Sequence, residues 1–303
     1  MTDLLATFGA FPFTRRTALE AGMTAWRWRR AVESGQLQQL RYGVYCASIP
    51  AGDRERFCQR TAAALLRRTD HFAVGASALA IHDLPNPYFR RWTRLAVRLG
   101  GKKTRAEQQI QRAVAVPLPT PWGPVTDLID TAEFLAAELP LPQALMVTDA
   151  VARRIADTED RFVLASRRCR TEVRHRLTEN LDLPALRLAD PAAESPAESF
   201  YRGHMLDNGF PEPRCGVPVT GESGDQYFID LLLDDLSIEI DGFIKYQDGD
   251  PRVLIAEKRR EDDLRAVGHE FHRPFVEELY ADPILEMRRL GAKLDRSHRR
   301  RAS

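Results

Sequence analysis

The sequence is short of the features that mark several large function classes. It holds four cysteines, Cys46, Cys58, Cys169 and Cys215, with no CxxC pair and no histidine at zinc-ligand spacing from a cysteine. That usage argues against a structural zinc site and predicts a reducing, cytoplasmic setting rather than a disulfide scaffold. No apolar run reaches the roughly 18 residues that a membrane span needs, so no membrane partner is expected. The opening MTDLLATFGAFPFTRR lacks the basic start and long apolar stretch of a secretory leader, and none is expected. A GxGxxG turn, a P-loop and a Ser/His/Asp motif are missing too, which removes the common dinucleotide, nucleotide and serine-hydrolase readings.

Net charge is nearly absent as well: 44 Lys+Arg stand against 43 Asp+Glu, for +1. The balance hides two opposed halves. Residues 1–112 carry 19 basic and 8 acidic residues, net +11, and residues 113–303 carry 25 and 35, net −10. A basic front half predicts a polyanionic partner, with double-stranded DNA the first candidate. Two unrelated surfaces that happen to cancel would give the same arithmetic.

What is present is a globular composition, 44% hydrophobic and 29% charged, over 303 residues. That length favours more than one core. The element pattern predicts an α+β or α/β multidomain chain. Its expected parts are a winged helix-turn-helix at 1–50, a mixed α/β middle at 51–190, an α/β domain at 191–295 and a basic, disordered tail at 296–303.

In the first part, Thr14 caps a short helix and Gly22 breaks it. Thr24 caps a second helix over 25–34 that ends at Gly35. LQQLRYGVYCAS then reads as two short strands around a tight turn at Gly43. Helix, turn, helix, hairpin is the order of a winged helix. Ala25, Trp28 and Val32 are expected to face inward. Arg27, Arg29 and Arg30 would lie on the recognition helix, Arg41 at the wing, and Arg15 and Arg16 at the start of the preceding helix. Arginines so placed can meet phosphates or pair with guanine. A solvated basic face on a helical hairpin has the same composition. The four tryptophans, Trp26, Trp28, Trp92 and Trp122, are expected in the core or an interface.

Behind it, helices are expected over 53–68, 75–82, 126–138, 141–156 and 159–179, a strand at RWTRLAVRL, and a linker at LADPAAESPAE. From 195 the order becomes αβββαβ. There, Asp230 lies in one apolar strand and Glu239 in the next. Asp241 follows Glu239 at i+2, on the same strand face. Glu198 on the preceding helix can join them. Gathered carboxylates suit Mg²⁺, with Asp230, Glu239, Asp241 and Glu198 as ligands and Lys245 as the nearest basic group, placed to orient a water or stabilise charge. Solvated turn carboxylates would show the same spacing. His269 and His272 are expected to be satisfied structural histidines.

TRRTALEAGMTAWRWRRAVESGQLQQLRYGVYCAS resembles the winged-helix domain of AbiEi-type antitoxins of type IV toxin–antitoxin systems, and the likeness continues through VGASALAIHDLPNP and VTDLIDTAEFLAAELPLPQALMVTDAVARR. The resemblance implies an operon autorepressor used in phage defence, with a homodimer for two half-sites and a toxin protein as partner. ESPAESFYRGHMLDNGFPEP, YFIDLLLDDLSIEIDGFIKY and EKRREDDLRAVGHEFHR resemble the restriction-endonuclease-like domain related to very-short-patch-repair endonucleases. That second resemblance implies metal binding by Asp230 and Glu239, with Glu198 as the helix glutamate. It also implies catalytic roles for Asp230, Glu239 and Lys245. The family's lysine two residues beyond Glu239 is replaced here by Asp241, and the basic pair Arg259-Arg260 is retained. Together the resemblances imply either a DNA-binding antitoxin or an active Mg²⁺-dependent DNA endonuclease targeted by its winged helix.

Overall fold

The computed structural model describes residues 8–66, 71–87, 117–241 and 251–302, with side chains from 255 to 296 in the last stretch. The chain is mixed α+β. It begins with a small antiparallel sheet and its helices, continues through helices, and ends in a mixed four-stranded sheet. Its contacts divide into two compact units, Met1–Ala137 and Glu138–Ser303.

The front unit starts with β1 (Phe13–Thr14), α1 (Arg15–Glu20), α2 (Ala25–Glu33), β2 (Gln38–Arg41) and β3 (Val44–Cys46). The sheet order is β1-β3-β2, antiparallel throughout. Thr14 Oγ1 accepts from Thr17 N, and Thr24 Oγ1 accepts from Arg27 N at 3.3 Å, so both helices begin at the threonines expected to cap them. Phe13, Ala18, Met23, Trp28, Ala31 and Leu37 form the core beneath them. The Trp28 ring meets Tyr45 edge-on at 4.9 Å, locking α2 to the hairpin. Ala31, not Ala25, completes the inward face of α2. Ala25 is the first helical residue, projects beyond the packed turn and is exposed, while Val32 is half-buried.

Two helices follow, α3 (Asp53–Leu65) and α4 (Gly75–His82), then α5 (Leu128–Glu138). Gln59 Nε2 donates to the carbonyls of Ala10 at 2.6 Å and Ser48 at 2.8 Å. This buried amide stitches α3 to the residues flanking the small sheet, across the boundary expected at residue 50. The strand expected at RWTRLAVRL, with Trp92, lies outside the described residues.

The rear unit holds α6 (Leu141–Ile155), α7 (Arg161–Leu164), α8 (Arg167–Thr178), α9 (Pro184–Arg187) and α10 (Pro196–Asp207). The single helix expected at 159–179 is two, because Ser166 Oγ accepts from Cys169 N at 3.1 Å and starts a new one. Strands β4 (Arg214–Thr220), β5 (Gln226–Leu233) and β6 (Leu236–Ile238) form an antiparallel meander. Helix α11 (Pro251–Ala266) crosses over to β7 (Glu270–His272), which pairs with β6 in parallel. Val217, Ile229, Leu232, Leu264 and Phe271 pack on one another between sheet and crossover helix. The chain closes with α12 (Val276–Ala281) and α13 (Pro283–Ala302). Leu290 and Leu294 on α13 are buried and hold it to the unit, so the tail expected to be disordered is helical through Ala302.

The stretch expected as a linker is also corrected. Ala189, Asp190, Ala192 and Ala193 are buried. Gly216 on β4 has φ +55, and a Cβ there would sit 2.9 Å from the Ala192 carbonyl oxygen, so the segment lies directly on the sheet. Gly203 plays the same part between α10 and α6: a Cβ would come within 2.3 Å of Pro142 Cα. Among the described residues, no helix is long and apolar enough to cross a membrane.

Candidate functional site

The front unit presents its arginines to solvent. Arg15 and Arg16 open α1, Arg27, Arg29 and Arg30 lie on α2, and Arg41 ends β2, and all six are exposed. Arg16 meets Glu20 at 3.6 Å, but both side chains are largely in water and the pair adds little. Trp26 is 64% exposed and so lies outside the core, and the Arg30 guanidinium lies 5.3 Å from its ring centre. Trp28, by contrast, is in the core. Next to Arg41, Tyr42 at the hairpin turn is 85% exposed. Thr24, also exposed, caps α2 and fixes the first turn carrying Arg27.

In the rear unit, Ser195 caps α10 by accepting from Glu198 N at 3.2 Å, and Glu198 Oε2 reaches back to accept from Glu194 N at 2.8 Å. Glu198 is therefore a capping residue as well as a candidate ligand. Burial pushes its carboxyl up to about 8, and the Asp230 charge adds to the shift. Glu239 follows β6. Burial, then the Asp230 charge, pushes it up to about 7 against the opposing pull of Arg260. Both glutamates thus feel Asp230, which lies on β5 and accepts from Ile240 N at 3.1 Å.

Two arginines occupy the acidic region. Arg260 on α11 bonds both oxygens of Glu239, at 2.9 and 3.2 Å, and donates to the Phe228 carbonyl at 2.7 Å. Arg273 meets Asp241 at 3.2 Å, Glu257 at 3.4 Å and Glu261 at 3.2 Å. The fold brings Glu198, Asp230 and Glu239 into electrostatic contact, while Asp241 is held by Arg273. The carboxylate oxygens are the hard donors that Mg²⁺ takes, but the two glutamates are raised first by burial and only then by the Asp230 charge, so the shift marks carboxyls that hold their protons. Among the described residues no group of three His, Cys, Asp or Glu has metal-holding geometry. Lys245 lies outside the described residues.

The histidines are satisfied within the unit: His269 Nδ1 lies 2.9 Å from Ser237 Oγ, and His272 Nε2 lies 2.7 Å from Glu286 Oε1. Two features escaped sequence reasoning. Arg273 had a signal, a lone arginine just beyond the β7 histidines. The pair Asp149–Arg202, fully buried between α6 and α10, had none, because both residues sit in helices whose charges read as solvent-facing.

No family model matches the chain, and no solved structure matches it. The chain is similar to uncharacterized proteins from two strains of Mycobacterium tuberculosis, each 28% identical over 284 residues, covering 88% of this chain and 95% of the relative. Similarity of that extent runs through both units.

Proposed function

We propose that the chain is a DNA-binding protein of the AbiEi antitoxin type, a transcriptional autorepressor with a restriction-endonuclease-like rear domain. In this reading α1 and α2 are the helix-turn-helix, β2 and β3 the wing, and α2 the recognition helix in the major groove. The observation that carries it is the set of six exposed arginines on α1, α2 and the hairpin of one small unit, with α2 anchored by Trp28 and capped by Thr24. A homodimer would present two such helices to two half-sites, and a toxin protein encoded nearby would be the partner. The test is duplex binding with DNA from the protein's own promoter region. Arg27→Ala with Arg30→Ala is expected to abolish binding, and Asp230→Ala to leave it intact. Full affinity in the double arginine variant rejects the proposal.

A second reading, an active Mg²⁺-dependent DNA endonuclease, is favoured by one observation: Glu198 and Glu239 are buried beside Asp230 with their carboxyls pushed up. In this reading Asp230 and Glu239 would be the ligands and the ion would supply Lewis-acid stabilisation of phosphate charge, but Glu239 would first have to leave Arg260, because no three of the described carboxylates stand in metal-holding geometry as they are. Plasmid cleavage that requires Mg²⁺ or Mn²⁺ and vanishes in Asp230→Ala would establish it. Cleavage that is absent or metal-independent in the purified chain would reject it.

A further inference from the structure

We propose that the outward face of α8 is a second nucleic-acid contact, one that grips the phosphate backbone of duplex DNA. It rests on the reading that the chain binds DNA. The half of the sequence that contains α8 is net acidic, yet α8 carries Arg167, Arg168, Arg170, Arg174, Arg176 and His175 against one acid, Glu172. These arginines divide sharply by role. Arg170 meets buried Asp190 at 2.9 Å, Arg174 donates to the Ala189 carbonyl at 2.8 Å and pairs with Glu212, and Arg176 donates to the Ile155 carbonyl at 2.6 Å. Those three hold the unit together. Arg167 and Arg168 are exposed and have no hydrogen bond or ion pair among the described residues.

Thr171 and His175 follow Arg167 at steps of four, on the same side of the helix. With Arg168 and Glu172 they line an open cavity of about 640 Å³. Its inner wall is fixed, because Cys169, Val173 and Leu177 on the opposite face of α8 are buried. Glu172 stands one turn after Arg168, at the spacing where a helix-surface pair closes, and no pair forms. The two guanidiniums are therefore uncompensated donors beside a hydroxyl and an imidazole. That set complements a row of phosphates, whose negative charge is dense and sequence-independent. Glu172 is the one group that opposes it. The face offers contact without base reading, so it would add affinity equally to every sequence.

The experiment uses the full chain and a 30-base-pair duplex in fluorescence anisotropy across a salt series. Arg167→Ala with Arg168→Ala is expected to weaken binding to specific and unrelated duplexes alike, by on the order of tenfold. It should also lower the salt slope by about two. Glu172→Gln is expected to strengthen binding several-fold. The positions are exposed and alanine favours helix, so an unchanged melting temperature confirms that the fold is kept. The front variant, Arg27→Ala with Arg30→Ala, is measured alongside. If it loses binding while the α8 variants keep wild-type affinity and slope, the α8 proposal falls and the front reading stands. If the α8 variants weaken binding and the front variant does not, the α8 proposal stands alone. Absence of duplex binding in the wild-type chain overturns both.

Discussion

Arg260 holds Glu239 in a two-pronged grip, Nη2 to Oε1 at 2.9 Å and Nη1 to Oε2 at 3.2 Å. The carboxylate that an ion would need is thus already engaged by a cation of the protein itself. Arginine suits this role, because its planar fork satisfies both oxygens at once. In Arg260→Gln, Glu239 loses that partner and its carboxyl rises further. The melting temperature without metal should fall, more at pH 8 than at pH 6. Mg²⁺ or Mn²⁺ should then raise it by more than in the wild-type protein, since the freed oxygens face less competition. Thermal melts of both proteins with and without metal decide the matter. An equal or absent metal shift in the variant contradicts the competition.

The buried glutamates set a pH dependence of definite sign. Glu198 rises from 4.5 to about 8 and Glu239 from 4.5 to about 7. Between those limits the folded chain keeps protons that the unfolded chain has released, so stability falls as pH rises through the window. The urea midpoint of the rear unit is expected to be lower at pH 8 than at pH 5. Glu198→Gln, which removes the ionisation and keeps an acceptor for Glu194 N, should flatten the dependence and stabilise the chain at pH 8. Equal midpoints at both pH values in the wild-type protein would refute this.

These residues also show where sequence reasoning reaches and where it stops. Thr24, Gly35 and the hairpin at Gly43 were legible because caps and turns are local chemistry. So was the αβββαβ order, because its apolar strands are bounded by Asp234-Asp235 and Gly268. Asp230 and Glu239 were legible as neighbours because consecutive apolar strands carry them, whereas alternation also grouped Asp241 with Glu239 and did not show that Arg273 holds it. The grip of Arg260 on Glu239 was not legible from the retained Arg259-Arg260 pair, since it depends on how α11 lies over β5. The segment at 188–193 looked like a linker because Pro and Ala are shared by linkers and by close-packed junctions, and only Gly216 marks the difference.

Asp149 and Arg202 define a third prediction. Arg202 Nη2 lies 2.7 and 2.8 Å from the two Asp149 oxygens, and Asp190 N adds a bond at 2.8 Å. Burial works against both charges, pushing Asp149 up. The carboxylate is nevertheless the form that can accept on both oxygens, and its charge keeps Arg202 protonated. Asp149→Ala leaves a guanidinium buried and unpaired, at a cost of about 3–5 kcal/mol. Asp149→Leu with Arg202→Met removes both charges and is expected to recover most of that loss. Chemical denaturation of the two variants checks it. A double variant as unstable as Asp149→Ala would contradict the unpaired-charge account and point instead to the other Arg202 bond, from Nη1 to the Leu188 carbonyl at 2.8 Å.

Thr24 links stability to the proposed DNA face. Its Oγ1 accepts from Arg27 N at 3.3 Å and closes the first turn of α2. Thr24→Ala removes that bond and should lower the stability of the front unit by about 1 kcal/mol. The first turn carries Trp26 and Arg27, so its fraying costs pre-organisation as well as stability, and duplex affinity should fall severalfold. Thr24→Ser keeps the acceptor and should restore both. Thermal melts and anisotropy on the three proteins separate the outcomes. A stability loss without an affinity loss in Thr24→Ala would place DNA contact away from the first turn of α2, and so away from Arg27.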